Sequence, residues 1–150
     1  MKMSEQPDLV PQSMVERFHR LFDILVQETP GQVDERTRVL RERLIQEEFE
    51  ELKEAMGRGD LAAIAKELAD LLYVVHGTAV SYGIDMDPVF REVHRSNMSK
   101  VGGYKRDDGK WVKPPTYSPA VIEPILAAQQ HPREREVESS DTCEEVEPRA

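Results

Sequence analysis

Residues 61–82, LAAIAKELADLLYVVHGTAVSY, form the longest apolar stretch of the 150-residue chain. Asp60 before it can cap a helix and Gly83 after it can end one, so we predict a helix between them. Apolar side chains lie nearly all round this helix, which predicts that other helices enclose it. Four ionisable residues interrupt the stretch: Lys66, Glu67, Asp70 and His76. Their charges argue against a bilayer-spanning helix, so we predict a protein without a membrane partner.

Three further helix starts are signalled in the chain, at Ser13, Asp34 and Asp87. Ser13 begins a capping-box pattern and an apolar repeat at helical spacing. Asp34 precedes a predicted helix that runs to Met56, and Asp87 precedes Pro88, a favourable first residue of a helix. With the central stretch, these signals predict four main helices.

The chain changes character after the fourth helix. The Asp-Gly pair at Asp108 and Gly109, set between two short runs, predicts a small hairpin. Ser118 can start a short last helix that extends through Leu126. We therefore predict an all-α fold with a four-helix-bundle-like core, a small C-terminal hairpin and a short final helix.

The composition fits one domain, because 39% of the 150 residues are hydrophobic. We predict a flexible N-terminus over residues 1–12, a folded domain over 13–127 and an acidic disordered tail over 128–150. The formal net charge of -9 argues against a nucleic-acid partner. The single cysteine, Cys143, excludes a disulfide framework within one chain, and the first residues lack an apolar signal run. We therefore expect a cytoplasmic protein.

The second helix carries a run of glutamates that a helical wheel turns partly inward. At roughly 100° per residue, Leu40 and Leu44 define an apolar stripe. Glu47 and Glu51 fall deepest in this stripe, and Glu48 lies at its flank. Burying like charges without a partner is costly, so these three glutamates predict a bound cation.

The third helix supplies two more carboxylates. Glu67 and Asp70 are three residues apart and share one helical face. The short turn before Asp60 brings both acidic groups to similar heights if the two helices run antiparallel. A pair of buried salt bridges is the alternative, but Lys66 is the only nearby base on that helix. Carboxylates without thiolate or histidine favour a hard cation, Mg²⁺ or its substitute Mn²⁺.

Several sequence patterns resemble the all-α nucleotide pyrophosphohydrolases, a superfamily that includes MazG, dimeric dUTPases and phosphoribosyl-ATP pyrophosphohydrolases. The first is Glu47-Glu48-x-x-Glu51, a 15-residue spacer, then Glu67-x-x-Asp70. The others are ELADLLY at 67–73, EVHRSNMSK at 92–100 and DGKWVKP at 108–114. Together they resemble the small MazG-like members over residues 13–127.

The resemblance implies cleavage between the α- and β-phosphates of a nucleoside triphosphate, which gives a nucleoside monophosphate and pyrophosphate. It implies that Glu48, Glu51, Glu67 and Asp70 are Mg²⁺ ligands. Glu47 would be the catalytic base, or a group that orients the attacking water. It also implies a helical bundle completed by a homodimer or a higher homo-oligomer. Among substrates we expect dUTP first, with phosphoribosyl-ATP as the alternative.

Substrate contacts are predicted outside the carboxylate groups. The block at 92–100 offers the Asn97 amide for a base edge or sugar hydroxyl and the Lys100 ammonium for phosphate. Tyr73 could stack on a base or belong to the core. Four basic residues around the hairpin could clamp phosphates or merely keep it soluble: Lys105, Arg106, Lys110 and Lys113.

Two hypotheses from other functional classes stay open at this point. A ferritin-like metal protein also uses a helical bundle, but it needs two Glu-x-x-His motifs, and this sequence has one at Glu16. A non-enzymatic helical dimerisation module could carry acidic stripes to pair with a basic partner. It would show no Mg²⁺-dependent activity to lose on substitution of Glu51.

Overall fold

The computed structural model describes residues 10–131, and this part of the chain forms five helices and one two-stranded hairpin. In chain order the elements are α1 (Pro11–Leu21), α2 (Glu35–Arg58), α3 (Leu61–Tyr82), α4 (Met86–Met98), β1 (Tyr104–Lys105), β2 (Trp111–Val112) and α5 (Glu123–Gln129). The predicted all-α class, small hairpin and short final helix are confirmed. Residues 1–9 and 132–150, most of the predicted flexible N-terminus and acidic tail, lie outside the described residues.

Capping residues define the long antiparallel pair α2 and α3. Asp34 precedes α2, and its Oδ1 accepts from the backbone N–H of Thr37 at 2.8 Å. Asp60 precedes α3 and accepts from the N–H groups of the first turn at 3.1 Å. Gly59 and Gly83 end the two helices with φ of 67° and 68°, a left-handed conformation that favours glycine.

Three helix starts, those of α1, α4 and α5, differ from the sequence-based expectation. Pro11, rather than Ser13, begins α1, because a proline at the first helical position has no N–H to leave unsatisfied. The cap of α4 is Asp85 rather than Asp87, and its carboxylate accepts from the Asp87 N–H at 3.0 Å. The helices α1 and α4 therefore begin slightly earlier than the pattern indicates, whereas α5 begins at Glu123, after the predicted start at Ser118, and ends at Gln129.

The core is formed where α1 and α2 pack against α3. Its buried apolar side chains are Val15, Leu52, Ala55, Ala79 and Val80. The segment between α1 and α2 returns along the end of α3, where Gln27 Nε2 donates to the Ser81 carbonyl at 2.8 Å. Gln12 fixes the start of α1 by donating to the Ile84 carbonyl at 2.7 Å. Polar side chains thus hold this segment and the start of α1 against the C-terminal end of α3.

The helix α4 leaves the core and makes few contacts with the other described helices. The hairpin pairs Tyr104 with Val112 in antiparallel register. Trp111 of the hairpin donates from Nε1 to the carbonyl of Lys100, just after α4, at 2.9 Å. The hairpin is therefore held against the end of α4.

Large apolar side chains remain exposed on α3 and α4. Leu68 and Leu72 are 48% and 59% exposed, and Phe90 is 69% exposed. None of the helices between residues 10 and 131 combines the length and apolarity that crossing a bilayer requires. The prediction that other helices enclose α3 is met on the sides facing α1 and α2 only.

Candidate metal centre

Three carboxylates from two helices converge at the α2–α3 interface. Glu48 projects from α2, and Glu67 and Asp70 project from adjacent turns of α3. One carboxylate oxygen from each lies within 4.8 Å of the other two. Oxygen donors at this spacing, without sulfur or imidazole, suit a hard divalent cation.

Burial and mutual repulsion act on these carboxylates. Glu67 is 8% exposed, although a glutamate is almost never buried unless it is paired. Partial burial raises the pKa of Glu48, and the charges of Glu51, Asp70 and Glu67 raise it further. The negative charges around Glu48 therefore disfavour its ionised form, and a bound cation would relieve that repulsion.

Lys66 supplies positive charge to two of the three carboxylates. Its Nζ lies 3.1 and 3.2 Å from the two oxygens of Glu67 and 2.7 Å from Asp70 Oδ2. The hydrogen bond to Asp70, followed by that to Glu67, raises the pKa of Lys66. Ion pairs are therefore present on the same two residues that the metal alternative needs. They are not the buried salt bridges of the other alternative, because 64% of the Lys66 side chain is exposed. Glu48 receives no hydrogen bond from Lys66.

The wheel placement of Glu47 and Glu51 was wrong. Both are exposed, and Glu48, expected at the flank, is the glutamate that faces α3. The reason is Arg41, which is 5% exposed and takes the inward position that the wheel gave to Leu40. Moving the buried face by one residue rotates the helix by about 100°.

The two remaining glutamates stand at different distances from the cluster of Glu48, Glu67 and Asp70. Glu51 lies one turn after Glu48, close enough for its charge to raise the pKa of Glu48. Glu47 points to solvent, with 55% of its side chain exposed and its Oε1 3.5 Å from Arg43 Nε. Three of the five predicted carboxylates are thus brought together, one is adjacent and one lies outside.

Tyr73 lies on α3, one turn beyond Asp70. Its side chain is 40% exposed, and its ring meets that of Phe18 edge-on with centroids 5.6 Å apart. The ring is neither a fully buried core residue nor free in solvent. It forms part of the surface where α1 packs against α3.

The predicted substrate contacts near the end of α4 form a separate polar group. Lys100 Nζ donates to Asn97 Oδ1 at 2.6 Å. Lys100 and Lys113 both lie over the ring of Tyr117, at 5.9 and 4.1 Å from its centroid. Sequence patterns did not single out Tyr117, because its position between the two lysines depends on this three-dimensional convergence.

The other basic residues of the hairpin are exposed. Arg106 Nη2 pairs with Asp108 at 3.1 Å, while Lys105 and Lys110 extend along the surface. Across residues 10–131, no hydrogen bond or ion pair joins the hairpin or the Asn97–Lys100 pair to the carboxylate cluster. Within one chain these two groups are therefore distinct.

A buried basic group that sequence reasoning missed lies two turns from Glu48. Arg41 shares the α1–α3 interface with His19, which is 2% exposed and donates from Nδ1 to the Leu25 carbonyl at 3.1 Å. Arg41 Nε has no hydrogen-bond partner among the described residues. A Cβ on Gly77 would lie 2.8 Å from Arg41 Nη1 and 3.0 Å from His19 Nε2, so a larger residue there would displace one or both side chains.

Comparison with protein families identifies the class of enzyme. The family model described as phosphoribosyl-ATP pyrophosphohydrolase matches residues 15–97, which is 83 of the 150 residues. The chain belongs to this family. The match runs from within α1 to the last turn of α4 and includes all five carboxylates, but it ends before Lys100 and the hairpin. No curated protein matches the chain.

Family membership makes the chain a nucleotide pyrophosphohydrolase of the MazG-like superfamily, a hydrolase that acts on phosphoric anhydrides. It disfavours both the ferritin-like and the non-enzymatic alternatives. A nucleotide substrate fits both the family and the arrangement of the carboxylates. The predicted superfamily resemblance is thereby confirmed.

Proposed function

We propose that this pyrophosphohydrolase requires Mg²⁺, with Mn²⁺ as a substitute, and that Glu48, Glu51, Glu67 and Asp70 hold the metal. The observation that carries this proposal is the convergence of Glu48, Glu67 and Asp70 within 4.8 Å. Glu51 would join them from the next turn of α2. Mg²⁺ keeps several waters and shares its coordination shell with substrate phosphates, so an incomplete set of protein ligands is suitable.

The proposed reaction is attack by water on the α–β phosphoric anhydride, which yields a nucleoside monophosphate and pyrophosphate. Bound Mg²⁺ supplies charge neutralisation of the phosphates and a lowered pKa of coordinated water. The resemblance assigns Glu47 as the base or a water-orienting residue. Its carboxylate, now exposed and 3.5 Å from Arg43 Nε, would have to turn towards the cluster to take that role. The buried Glu67 keeps the ligand set anchored to α3.

Two substrates are proposed, in order. The resemblance to small MazG-like enzymes favours dUTP, whereas the description of the matched family favours phosphoribosyl-ATP as the second candidate. Both substrates contain an α–β phosphoric anhydride, and this bond would lie against the carboxylates. Tyr73 is exposed next to the cluster and would contact the base or sugar.

Further substrate contacts are assigned to the group at the end of α4 and around the hairpin. Asn97 and Lys100 are already joined by a hydrogen bond, so one amide and one ammonium are presented together. The basic residues that would neutralise phosphate charge are Lys105, Arg106, Lys110 and Lys113. Their exposure leaves them available to a ligand.

We also propose a homodimer or higher homo-oligomer. Leu68, Leu72 and Phe90 expose large apolar surfaces on α3 and α4, which a single chain leaves uncovered. Association through these helices would complete the bundle that α1, α2 and α3 begin.

A screen with pyrophosphate detection tests the proposed activity. The full chain is incubated with dUTP, the other common nucleoside triphosphates and phosphoribosyl-ATP, each with Mg²⁺, Mn²⁺ or EDTA. We expect pyrophosphate in the presence of either metal, loss of activity in EDTA and the highest kcat/KM for dUTP. A higher kcat/KM for phosphoribosyl-ATP would reverse the order of substrates. Absence of pyrophosphate from every nucleotide with both metals would overturn the proposal.

A further inference from the structure

Within residues 10–131, Lys66 is the one basic residue whose side chain forms ion pairs with the predicted metal ligands on α3. Its ammonium reaches both oxygens of Glu67 and one oxygen of Asp70 at 2.7–3.2 Å. We propose that Lys66 is a built-in counter-cation of the cluster, which competes with the divalent metal and is displaced when the metal binds. This inference rests on the proposed metal requirement and names a positioning residue for it.

The side chain of Lys66 is suited to a reversible role. It is 64% exposed, and its contacts in the described chain are with neighbours on its own helix, at spacings of one and four residues. An exposed ion pair of this kind adds little net stability and is easily broken, because water can replace either partner. The flexible four-carbon stem lets the ammonium move into solvent without any change in α3.

The metal and the Lys66 ammonium compete because both bind the carboxylate oxygens of Glu67 and Asp70. A divalent ion held by Glu67 and Asp70 needs the same carboxylate oxygens that Lys66 occupies. The ammonium also neutralises one unit of the negative charge that lets the cluster attract cations. At a separation of about 4 Å in water, one unit charge changes the affinity for another unit charge by about fivefold and that for a divalent ion by about thirtyfold. Screening by salt reduces the second value, so we expect an effect of about tenfold. Without metal, the same ammonium keeps Glu67 and Asp70 from repelling each other.

The competition predicts tighter metal binding when Lys66 loses its charge. Calorimetric titration of Mn²⁺ into the nucleotide-free full chain should give a Kd about tenfold lower for Lys66→Met than for the wild type. Lys66→Arg keeps the charge and should keep a Kd close to that of the wild type. If the wild type binds Mn²⁺ but the Kd for Lys66→Met is unchanged or higher, the proposed role of Lys66 is overturned. The proposed metal requirement is not affected by that result.

A matched control exists on the outer face of α2. Lys53 also forms an exposed ion pair within one helix, 2.7 Å from Glu50, but neither residue contacts the cluster. Lys53→Met should leave the Kd for Mn²⁺ unchanged, and a decrease equal to that of Lys66→Met would overturn a local role. If no variant and no wild-type sample binds Mn²⁺, the metal requirement and the role of Lys66 both fall. Binding without pyrophosphate release overturns only the proposed reaction.

Thermal unfolding gives a second readout that does not depend on activity. In EDTA, Lys66→Met should unfold at a lower temperature than Lys53→Met, because the carboxylates of Glu67 and Asp70 then lack a counter-charge. Saturating Mn²⁺ should remove that difference, since the metal replaces the ammonium. A difference that persists unchanged in Mn²⁺ would show a metal-independent packing role and overturn displacement.

Discussion

The carbonyl oxygen of Thr29 lies only 2.1 Å from the point where a Cβ on Gly83 would stand. The two glycines have nearly the same backbone conformation, with φ of 68° for Gly83 and 67° for Gly59. A Cβ on Gly59, however, would meet nothing within 4 Å. The two glycines therefore separate the effect of backbone conformation from that of close approach. Gly83 lets the segment between α1 and α2 lie against the end of α3.

Gly83→Ala should consequently destabilise the protein more than Gly59→Ala. Both substitutions place a Cβ in the left-handed region, at a cost of about 1–2 kcal/mol. Gly83→Ala adds a collision with backbone, which we expect to lower the free energy of unfolding by about 1–3 kcal/mol more. Urea unfolding followed by circular dichroism measures both values. Equal losses for the two variants would contradict the close approach.

Glu48→Gln should abolish most of the pyrophosphate release while leaving the helices intact. The change removes the α2 charge from the three-carboxylate cluster, so we expect kcat/KM with Mg²⁺ to fall by about a hundredfold or more. Glu54→Gln is the matched control, because Glu54 is an exposed glutamate of α2 whose ion-pair partner is Arg58, 3.9 Å away. Similar activity losses in both variants would argue against a local metal centre.

The stability of the protein should fall as the pH decreases below the ordinary range of histidine. Burial lowers the pKa of His19 from its ordinary value of 6.5, and the charge of Arg41 lowers it further, although the hydrogen bond to Leu25 opposes the shift. Below pH 6.5 the unfolded chain therefore binds a proton that the folded chain resists, and unfolding becomes more favourable. The contribution is fully present above pH 6.5 and is lost as the pH falls towards the lowered pKa.

His19→Asn tests this pH dependence, because asparagine can still donate to the Leu25 carbonyl but does not titrate. Melting temperatures measured from pH 7.5 to pH 5 should decline less steeply in His19→Asn than in the wild type. His94→Asn provides the control, since His94 is an exposed histidine of α4. A slope unchanged by the His19 substitution, or equally reduced by the control, would assign the dependence to other groups.

The fold was predictable where local chemistry decides it. Asp34 and Asp60 cap their helices through hydrogen bonds to the following turn, and Gly59 and Gly83 end helices in the left-handed conformation that only glycine adopts cheaply. These interactions need no distant partner. The positions of α2, α3 and the Asp-Gly hairpin could therefore be deduced from neighbouring residues alone.

The site was predictable only in part, because which face of α2 is buried depends on tertiary contacts. Apolarity favoured Leu40 as the inward residue, but α1 and α3 bury Arg41, whose guanidinium fits over Gly77. That choice rotates Glu48 inward and Glu47 outward. Spacing identified which carboxylates belong together, but only packing determined which of them meet.

Substitution on the exposed apolar surface should dissociate the proposed oligomer. Leu72 is 59% exposed on α3, and Leu72→Glu would place a charge in any interface that covers it. Sedimentation equilibrium should give a mass of at least two chains for the wild type and a smaller mass for the variant. Retained helical circular dichroism would show that the variant is folded. A monomeric wild type would refute the proposed assembly.

Lys100→Met should separate substrate binding from metal binding. Lys100 Nζ is 2.6 Å from Asn97 Oδ1, and it has no contact with Glu48, Glu67 or Asp70. If its ammonium contacts a substrate phosphate, losing that contact should lower kcat/KM by about tenfold or more. The Kd for Mn²⁺ should stay unchanged, because the cluster keeps all its charges. Unchanged kcat/KM would instead assign Lys100 to the end of α4, where a lysine complements the helix dipole.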